Sequence, residues 1–194
     1  MPDLVVKVGG GLLATAGDLD RVLSALSVLA RSCPLLVVPG GGPFADTVRR
    51  VDRDVGIPDD TAHWMAVLGM DQYGHLLAAR LDGAEIVTGL LQARCALAAH
   101  RIPVLAPYRW LQDDDPLPHT WDVTSDSIAA WVATASGARE IALVKPRGAS
   151  GDVLDKYFPR AVSSHVRVTI ATAEQVDVVF RQIAARVEPN FEMT

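Results

Sequence analysis

Two glycine triplets each close a short apolar run, at Val5-Val6-Lys7-Val8-Gly9-Gly10-Gly11 and at Leu35-Leu36-Val37-Val38-Pro39-Gly40-Gly41-Gly42. Glycine lets backbone N–H groups turn inward at φ values closed to other residues, and a helix starting just beyond such a loop points its positive end at an anion. Pro43 suits the first position of such a helix. Gly9, Gly10 and Gly11, with Gly40, Gly41 and Gly42, are therefore expected to hold phosphate. Lys7 lies inside the first run, where the carboxyl end of a strand faces the ligand crevice of an open α/β sheet. Lys145 holds the matching place in Ile141-Ala142-Leu143-Val144-Lys145. Positioned cations and backbone N–H groups are most of what a protein can supply to a phosphoryl group in transit. The chemistry indicated is phosphoryl transfer.

Two lysines converging on one site repel, so the arrangement asks for a buried carboxylate between them. The segment Trp121-Asp122-Val123-Thr124-Ser125-Asp126-Ser127 offers Asp126. Thr124 or Ser125 can cap the following helix, and Asp126 falls in its first turn, where the dipole also favours an anion. A plain helix-start position for Asp126 fits the same spacing.

The elements that must carry these residues follow from periodicity. Mostly continuous apolar runs predict strands near 4–8, 35–39, 84–88, 102–106, 140–145 and 166–170, buried on both faces. Helical patterns lie near 18–31, 43–54, 61–80, 89–99, 125–136 and 173–187. Strand and helix thus alternate, which predicts a parallel α/β sandwich. Boundary residues agree: Asp18 can cap the first helix, Thr172 with Gln175 forms a capping box, and Gly137 follows a last turn. The irregular stretches, 56–60, 109–121 and 146–158, have neither the length nor the composition of an interdomain linker, so one domain over 1–194 is expected.

Composition narrows the classes. Hydrophobic residues make up 49% of the 194 and charged residues 21%, an apolar balance that predicts a partner subunit covering part of the surface, hence a homo-oligomer. A net charge of −5 provides no broad basic face for nucleic acid. No apolar stretch approaches the roughly 20 residues of a membrane span, and the N-terminus starts a strand without a leader pattern. Cys33 and Cys95 lack metal-ligand spacing and read as small buried residues in apolar helical contexts. A cytoplasmic protein is expected. His63, Asp71 and His75 invite a metal reading, but His63 and His75 lie three turns apart on one helix, too far for one ion, so no protein-held metal is expected.

The four segments Lys7-Val8-Gly9-Gly10-Gly11, Pro39-Gly40-Gly41-Gly42-Pro43-Phe44-Ala45, Thr124-Ser125-Asp126-Ser127-Ile128-Ala129-Ala130 and Leu143-Val144-Lys145 occur in the order of the amino acid kinase superfamily, which the chain resembles over nearly its whole length. That superfamily includes acetylglutamate, aspartate, glutamate and uridylate kinases. The resemblance implies a three-layer αβα sandwich with a mainly parallel central sheet. It also implies that Lys7 and Lys145 stabilise the moving phosphoryl group, that Asp126 orients them, and that both glycine loops embrace phosphates of donor and acceptor. Phe44-Ala45-Asp46-Thr47-Val48-Arg49-Arg50, His63-Trp64-Met65-Ala66, Met70-Asp71-Gln72-Tyr73-Gly74 and Leu154-Asp155-Lys156-Tyr157-Phe158 further resemble the small kinases of methanofuran and methylofuran biosynthesis. Those enzymes phosphorylate the phosphate of an aminomethyl-furanmethyl phosphate to the diphosphate. Two departures stand out. Gly11 replaces a serine common in the superfamily, and Pro146-Arg147-Gly148-Ala149-Ser150-Gly151-Asp152 replaces its frequent Thr-Asp-Val-Asp-Gly pattern, where adenine-side contacts are made.

For an acceptor bearing an ammonium and a phosphate, the site needs an anion near the first and cations or N–H groups near the second. Asp46 and Asp71 are candidates for the ammonium and Arg49 or Arg53 for the phosphate; Thr124 and Ser125 complete the substrate-facing set. Each is also an ordinary solvated helix residue, and Asp46 with Arg50 can form an i,i+4 pair. The expectation is an ATP- and Mg²⁺-dependent kinase acting on a small-molecule phosphate acceptor, with Mg²⁺ arriving on the nucleotide. The rivals are a kinase of a nucleoside monophosphate or an amino-acid carboxylate, and a noncatalytic nucleotide- or oxyanion-binding protein of the same fold. Trp110 and Trp121 flank an acidic loop, Asp113-Asp114-Asp115, that is either a solvated excursion or a lid.

Overall fold

Runs of Val, Leu and Ile without polar alternation become strands buried from both sides, and the computed structural model, which describes residues 1–149 and 154–187, contains six strands among them. They are β1 (Leu4–Val8), β2 (Leu35–Pro39), β3 (Ala84–Val87), β4 (Ile102–Leu105), β5 (Glu140–Lys145) and β6 (Arg167–Thr172). All pair in parallel, in the order β3-β4-β2-β1-β5-β6. The chain leaves β1 toward β2 on one side and leaves β5 toward β6 on the other. The carboxyl ends of β1 and β5 therefore flank the point where the winding reverses, the place at which open α/β sheets bind ligands.

The described helices are α1 (Asp18–Leu29), α2 (Gly42–Val55), α3 (Asp59–Arg80), α4 (Leu90–Ala98), α5 (Tyr108–Asp114), α6 (Ser125–Ser136), α7 (Phe158–Ala161) and α8 (Val176–Val187), with a 3-10 turn over Gly10–Ala14. Leu4, Val6 and Val8 point to a core shared with Val22 and Leu26 of α1 and Phe180 and Ile183 of α8. Val5, Ile141 and Leu143 point the other way, to Ile128, Ala129 and Val132 of α6, Ala93 of α4 and Phe158 of α7. This is the expected αβα sandwich. Helix α3 serves both faces, with Val67 and Met70 in the second core and Tyr73 and Leu77 in the first. The fully buried Tyr73 donates its hydroxyl to the Gly9 carbonyl at 3.3 Å, tying this helix to the first glycine loop. Such a bond contributes about 1 kcal/mol.

Several local expectations change. Asp18 does not cap α1, whose N-cap is Gly17 without a side-chain bond. Its buried carboxylate instead accepts the Arg147 backbone N–H at 3.1 Å and the Nε at 2.7 Å, pinning the turn after β5 to the start of α1. These bonds hold the Asp18 carboxyl below its usual range against the effect of burial. The capping box before α8 is half formed: Gln175 Oε1 accepts from the Thr172 N–H, while the Gln175 N–H goes to the Thr172 carbonyl rather than its hydroxyl. The acidic stretch of 109–121 is partly helical, as α5. Cys33 is buried, in a turn rather than a helix, and Cys95 is exposed on α4. Strand β6 has nothing paired to its outer side among the described residues and leaves Val168 and Ile170 exposed, so continuous burial fails at this edge. Ser150, Gly151 and Asp152, part of the departure from the superfamily pattern, lie outside the described residues. No described helix is long and apolar enough to cross a membrane.

Candidate active site

Lys7 pairs in register with Leu143, so Lys145, two residues further along β5, projects from the same face of the sheet. That face is covered by α6. Thr124 caps this helix, its hydroxyl accepting the Asp126 N–H at 3.3 Å. Asp126, in the first turn, drops between the two strand ends. Lys145 Nζ donates to Asp126 Oδ2 at 2.6 Å, and Lys7 Nζ stands 2.7 Å from Oδ1. The second contact is one of charge without hydrogen-bond alignment, which leaves Oδ1 with no aligned donor. Lys7 and Asp126 are each 4% exposed. Burial alone pushes the Asp126 carboxyl up; the two ammonium groups outweigh it and hold the carboxyl below its usual range. Burial and the charge of Lys7 draw Lys145 below the ordinary lysine value, against the pull of Asp126 and Asp155. Two cations around one anion leave a surplus positive charge in a poorly solvated place, which favours an incoming anion.

The glycine loops complete the anion cradle. A Cβ on Gly10 would meet the Gly42 nitrogen at 2.1 Å, and one on Gly41 would meet Ala45 Cβ at 2.4 Å, so neither position accepts a side chain. Gly42 has φ +53°, in the left-handed region that favours glycine. The N–H groups of Gly10, Gly11, Gly41 and Gly42 open two helical segments and have no backbone acceptor among the described residues. All four line a cavity of about 380 Å³ together with Lys7, Asp126 and Lys145. Gly9 and Gly40 do not line it. The Gly9 N–H goes to the Val144 carbonyl at 2.9 Å and the Gly40 N–H to the Val8 carbonyl at 2.8 Å, so each first glycine extends a strand ladder.

The opposite wall comes from α2, α3 and the segment after α5. Asp46, Arg49, Thr124 and Ser125 line the cavity, and Asp71 does not: its carboxylate accepts the Tyr108 N–H at 3.1 Å, outside the cavity, and burial pushes its carboxyl up. Asp46 pairs with Arg49 at 2.8 Å, an i,i+3 contact in place of the i,i+4 pair with Arg50. Arg53 does not line the cavity. Asp59, Thr120 and Trp121 do, and their spacing in the sequence carried no sign of it. The Trp121 ring lies 5.1 Å from the Arg49 guanidinium carbon, and its Nε1 donates to Asp52 at 2.8 Å. His119 links Asp60 at 2.7 Å to Asp115 at 2.8 Å and stacks 4.1 Å from His63. The segment 115–124 is thus tied to α2 through Asp52 and to α3 through Asp60, and forms one wall of the cavity. His63 faces the cavity, and burial together with the neighbouring His119 pushes it down to about 4.

Spacing in the sequence gave no sign of Asp155 either. One clue to the site was present there: of 18 cationic residues only Lys7, Lys145 and Lys156 are lysine, and the first two lie at the carboxyl-terminal halves of the paired strands β1 and β5. The donor set suits phosphate oxygens. The central carboxylate is occupied by two ammonium groups, so a divalent ion here would be carried by phosphate oxygens and water. Among the described residues no group of three or more His, Cys, Asp or Glu could hold a metal ion.

Residues 4–146 match the family described as Amino acid kinase family. The chain is 29% identical over 139 residues to [5-(aminomethyl)furan-3-yl]methyl phosphate kinase of Methanocaldococcus jannaschii, a match spanning 71% of this chain and 62% of that protein. It is 35% identical over 83 residues to uridylate kinase of Methanothrix thermoacetophila, across 42% of this chain and 37% of the other. The matches thus cover less than two thirds of the length of either relative. Among solved structures, uridylate kinase of Archaeoglobus fulgidus superposes with a TM-score of 0.69 at 14% identity, covering 93% of this chain and 96% of that one. UMP kinase of Ureaplasma parvum gives a TM-score of 0.72 at 13% identity, covering 93% and 94%. These likenesses carry the fold.

Proposed function

This chain belongs to the amino acid kinase family, and from that membership together with its 29% identity to a [5-(aminomethyl)furan-3-yl]methyl phosphate kinase we propose that it is an ATP- and Mg²⁺-dependent kinase that phosphorylates the phosphate of an aminomethyl-furan monophosphate, giving the diphosphate. The observation that carries the reading is the Lys7–Asp126–Lys145 cluster facing four glycine N–H groups across one cavity. Mg·ATP supplies the γ-phosphoryl group and divalent charge. Gly10, Gly11, Gly41 and Gly42 hold phosphate oxygens, Lys7 and Lys145 neutralise the charge that spreads over the transferring group, and Asp126 keeps both ammonium groups aimed. An acceptor phosphate is already anionic at neutral pH, so positioning takes the place of a general base. A cavity of about 380 Å³ with an apolar side of Val67, Met70 and Ile128 suits a small ring, and Asp46 and Asp59 offer carboxylates to its ammonium group.

A second acceptor class, a nucleoside monophosphate, is favoured by the 35% identity to a uridylate kinase. The deciding experiment measures ADP release from Mg·ATP with the furan phosphate, its dephosphorylated alcohol, uridine monophosphate and acetylglutamate in parallel. Turnover confined to the furan phosphate supports the proposal. Turnover on uridine monophosphate or acetylglutamate overturns the acceptor, and nucleotide binding without turnover on any of the four favours a noncatalytic nucleotide-binding protein of the same fold.

A further inference from the structure

One carboxylate beneath the site takes an unusual load. Asp155 Oδ2 accepts the Thr124 N–H at 2.9 Å, the Thr124 hydroxyl at 2.7 Å and the Ser127 N–H at 3.0 Å. Its Oδ1 accepts the Ser127 hydroxyl and, at 2.8 Å, the Phe158 N–H. The donors on Thr124 and Ser127 bracket Asp126 in sequence. A short polar cap would have left the first turn of α6 to Thr124 alone, whose bond to the Asp126 N–H is long at 3.3 Å. The Tyr157 N–H to the Asp122 carbonyl, at 3.3 Å, and the buried Phe158 seat the same segment against the start of α6.

We infer that Asp155 is a positioning residue for phosphoryl transfer: by gripping Thr124 and Ser127 from outside the helix it fixes the turn that delivers Asp126 between Lys7 and Lys145. The inference rests on the kinase reading. It assigns the Thr124 hydroxyl to this scaffold and not to substrate, since that hydroxyl is spent on Asp155. It also explains how a helix terminus formed of small polar residues can hold a carboxylate in place against two cations. Asp155 touches no reacting atom and acts through Asp126, so its removal should matter only while Asp126 is present.

The test uses the full chain with Asp155→Asn, Ser127→Ala, Asp126→Asn and the double variant Asp126→Asn/Asp155→Asn, each checked for an intact thermal midpoint. Asp155→Asn is expected to lower kcat by ~10- to ~100-fold with KM for Mg·ATP nearly unchanged, because a misplacement on the order of 1 Å carries a loss of that size. Ser127→Ala, which removes one donor to Asp155 and keeps the Ser127 backbone N–H contact, is expected to fall between. The double variant should be no slower than Asp126→Asn alone. A kcat for Asp155→Asn and Ser127→Ala equal to that of the unsubstituted chain overturns the inference, as does an undiminished effect of Asp155→Asn in the Asp126→Asn background. A readout without substrate separates this from failure of the kinase reading. With three lysines in the chain, ¹³Cε-lysine labelling resolves Lys145, whose titration midpoint should fall in Asp155→Asn and fall in part in Ser127→Ala, where the Asp155 charge remains. An unmoved midpoint in both variants overturns the positioning inference whatever the acceptor proves to be.

Discussion

Gly10 and Gly42 meet backbone to backbone: a methyl group on Gly10 would stand 2.1 Å from the Gly42 nitrogen, with no flexible side chain between them to yield. The two glycine loops are thus one surface, and the four N–H groups they present are held by direct backbone contact between the loops. Gly10→Ala is expected to cost about 2–4 kcal/mol in denaturant unfolding and to remove turnover. Gly89→Ala, at an extended residue where an added methyl group would meet nothing within 4 Å, should stay within about 0.5 kcal/mol. Equal stabilities for the two variants would refute the tight loop contact.

Lys7→Ala removes one of the two cations around Asp126. Turnover should drop by about 10²- to 10³-fold, in the range for losing one transition-state donor. The far-ultraviolet spectrum and a cooperative unfolding transition should survive, because Lys145 still pairs with the carboxylate at 2.6 Å. Near-normal turnover would take Lys7 out of the chemistry.

The pH profile follows from the same cluster. Asp126, with its folded value depressed, contributes stability that is present above its unfolded value near ~4 and lost as pH falls through the lower folded value. Lys145 must be cationic to act, and its depressed value places the alkaline fall in rate below the ~10.4 of a free lysine. In Lys145→Arg that alkaline limb should move to higher pH, leaving Lys7 as the remaining titrating ammonium, even where kcat is lower. A limb unchanged by the substitution would assign it to another group.

His119 tests the cavity wall. Its two ring nitrogens face Asp60 and Asp115; burial alone lowers its value, but the two carboxylates outweigh that and raise it. A raised folded value means the clasp contributes stability below the unfolded value near ~6.5 and loses it as pH rises through the folded one. His63, pushed down to about 4, acts in the opposite sense in acid. The difference in thermal midpoint between the unsubstituted chain and His119→Gln should therefore be largest near pH ~6 and shrink toward pH ~9. A constant difference would show that the stack on His63, not charge, holds the wall.

What the sequence disclosed depended on how local its cause was. Strands β1, β2 and β5 were legible because apolar runs have one stable environment, and Lys7 and Lys145 because each lies toward the carboxyl end of such a run; spacing left Asp126 open to a plain helix start, and its place between the lysines was implied by the family resemblance. A glycine triplet does not say which N–H remains free. Gly9 and Gly40 continue the ladders of β5 and β1, so the cradle begins one residue later in each loop. Asp71 and Asp59 lie on one helix, and only packing decides that the first turns to Tyr108 and the second to the cavity. Asp155 reaches α6 from 28 residues away, a relation that spacing does not encode. The short helix α5 lacked the length over which periodicity becomes visible.

All six strands run the same way, so every turn entering a strand lies a full strand length from the chemistry. The turn at Asp82-Gly83 is exposed, and Gly83 has open space around it. That end of the molecule is a natural attachment point: a peptide label or fluorescent reporter inserted between Asp82 and Gly83 should leave the turnover of the proposed kinase within about twofold, and would let the protein be immobilised or tracked with its crevice facing outward.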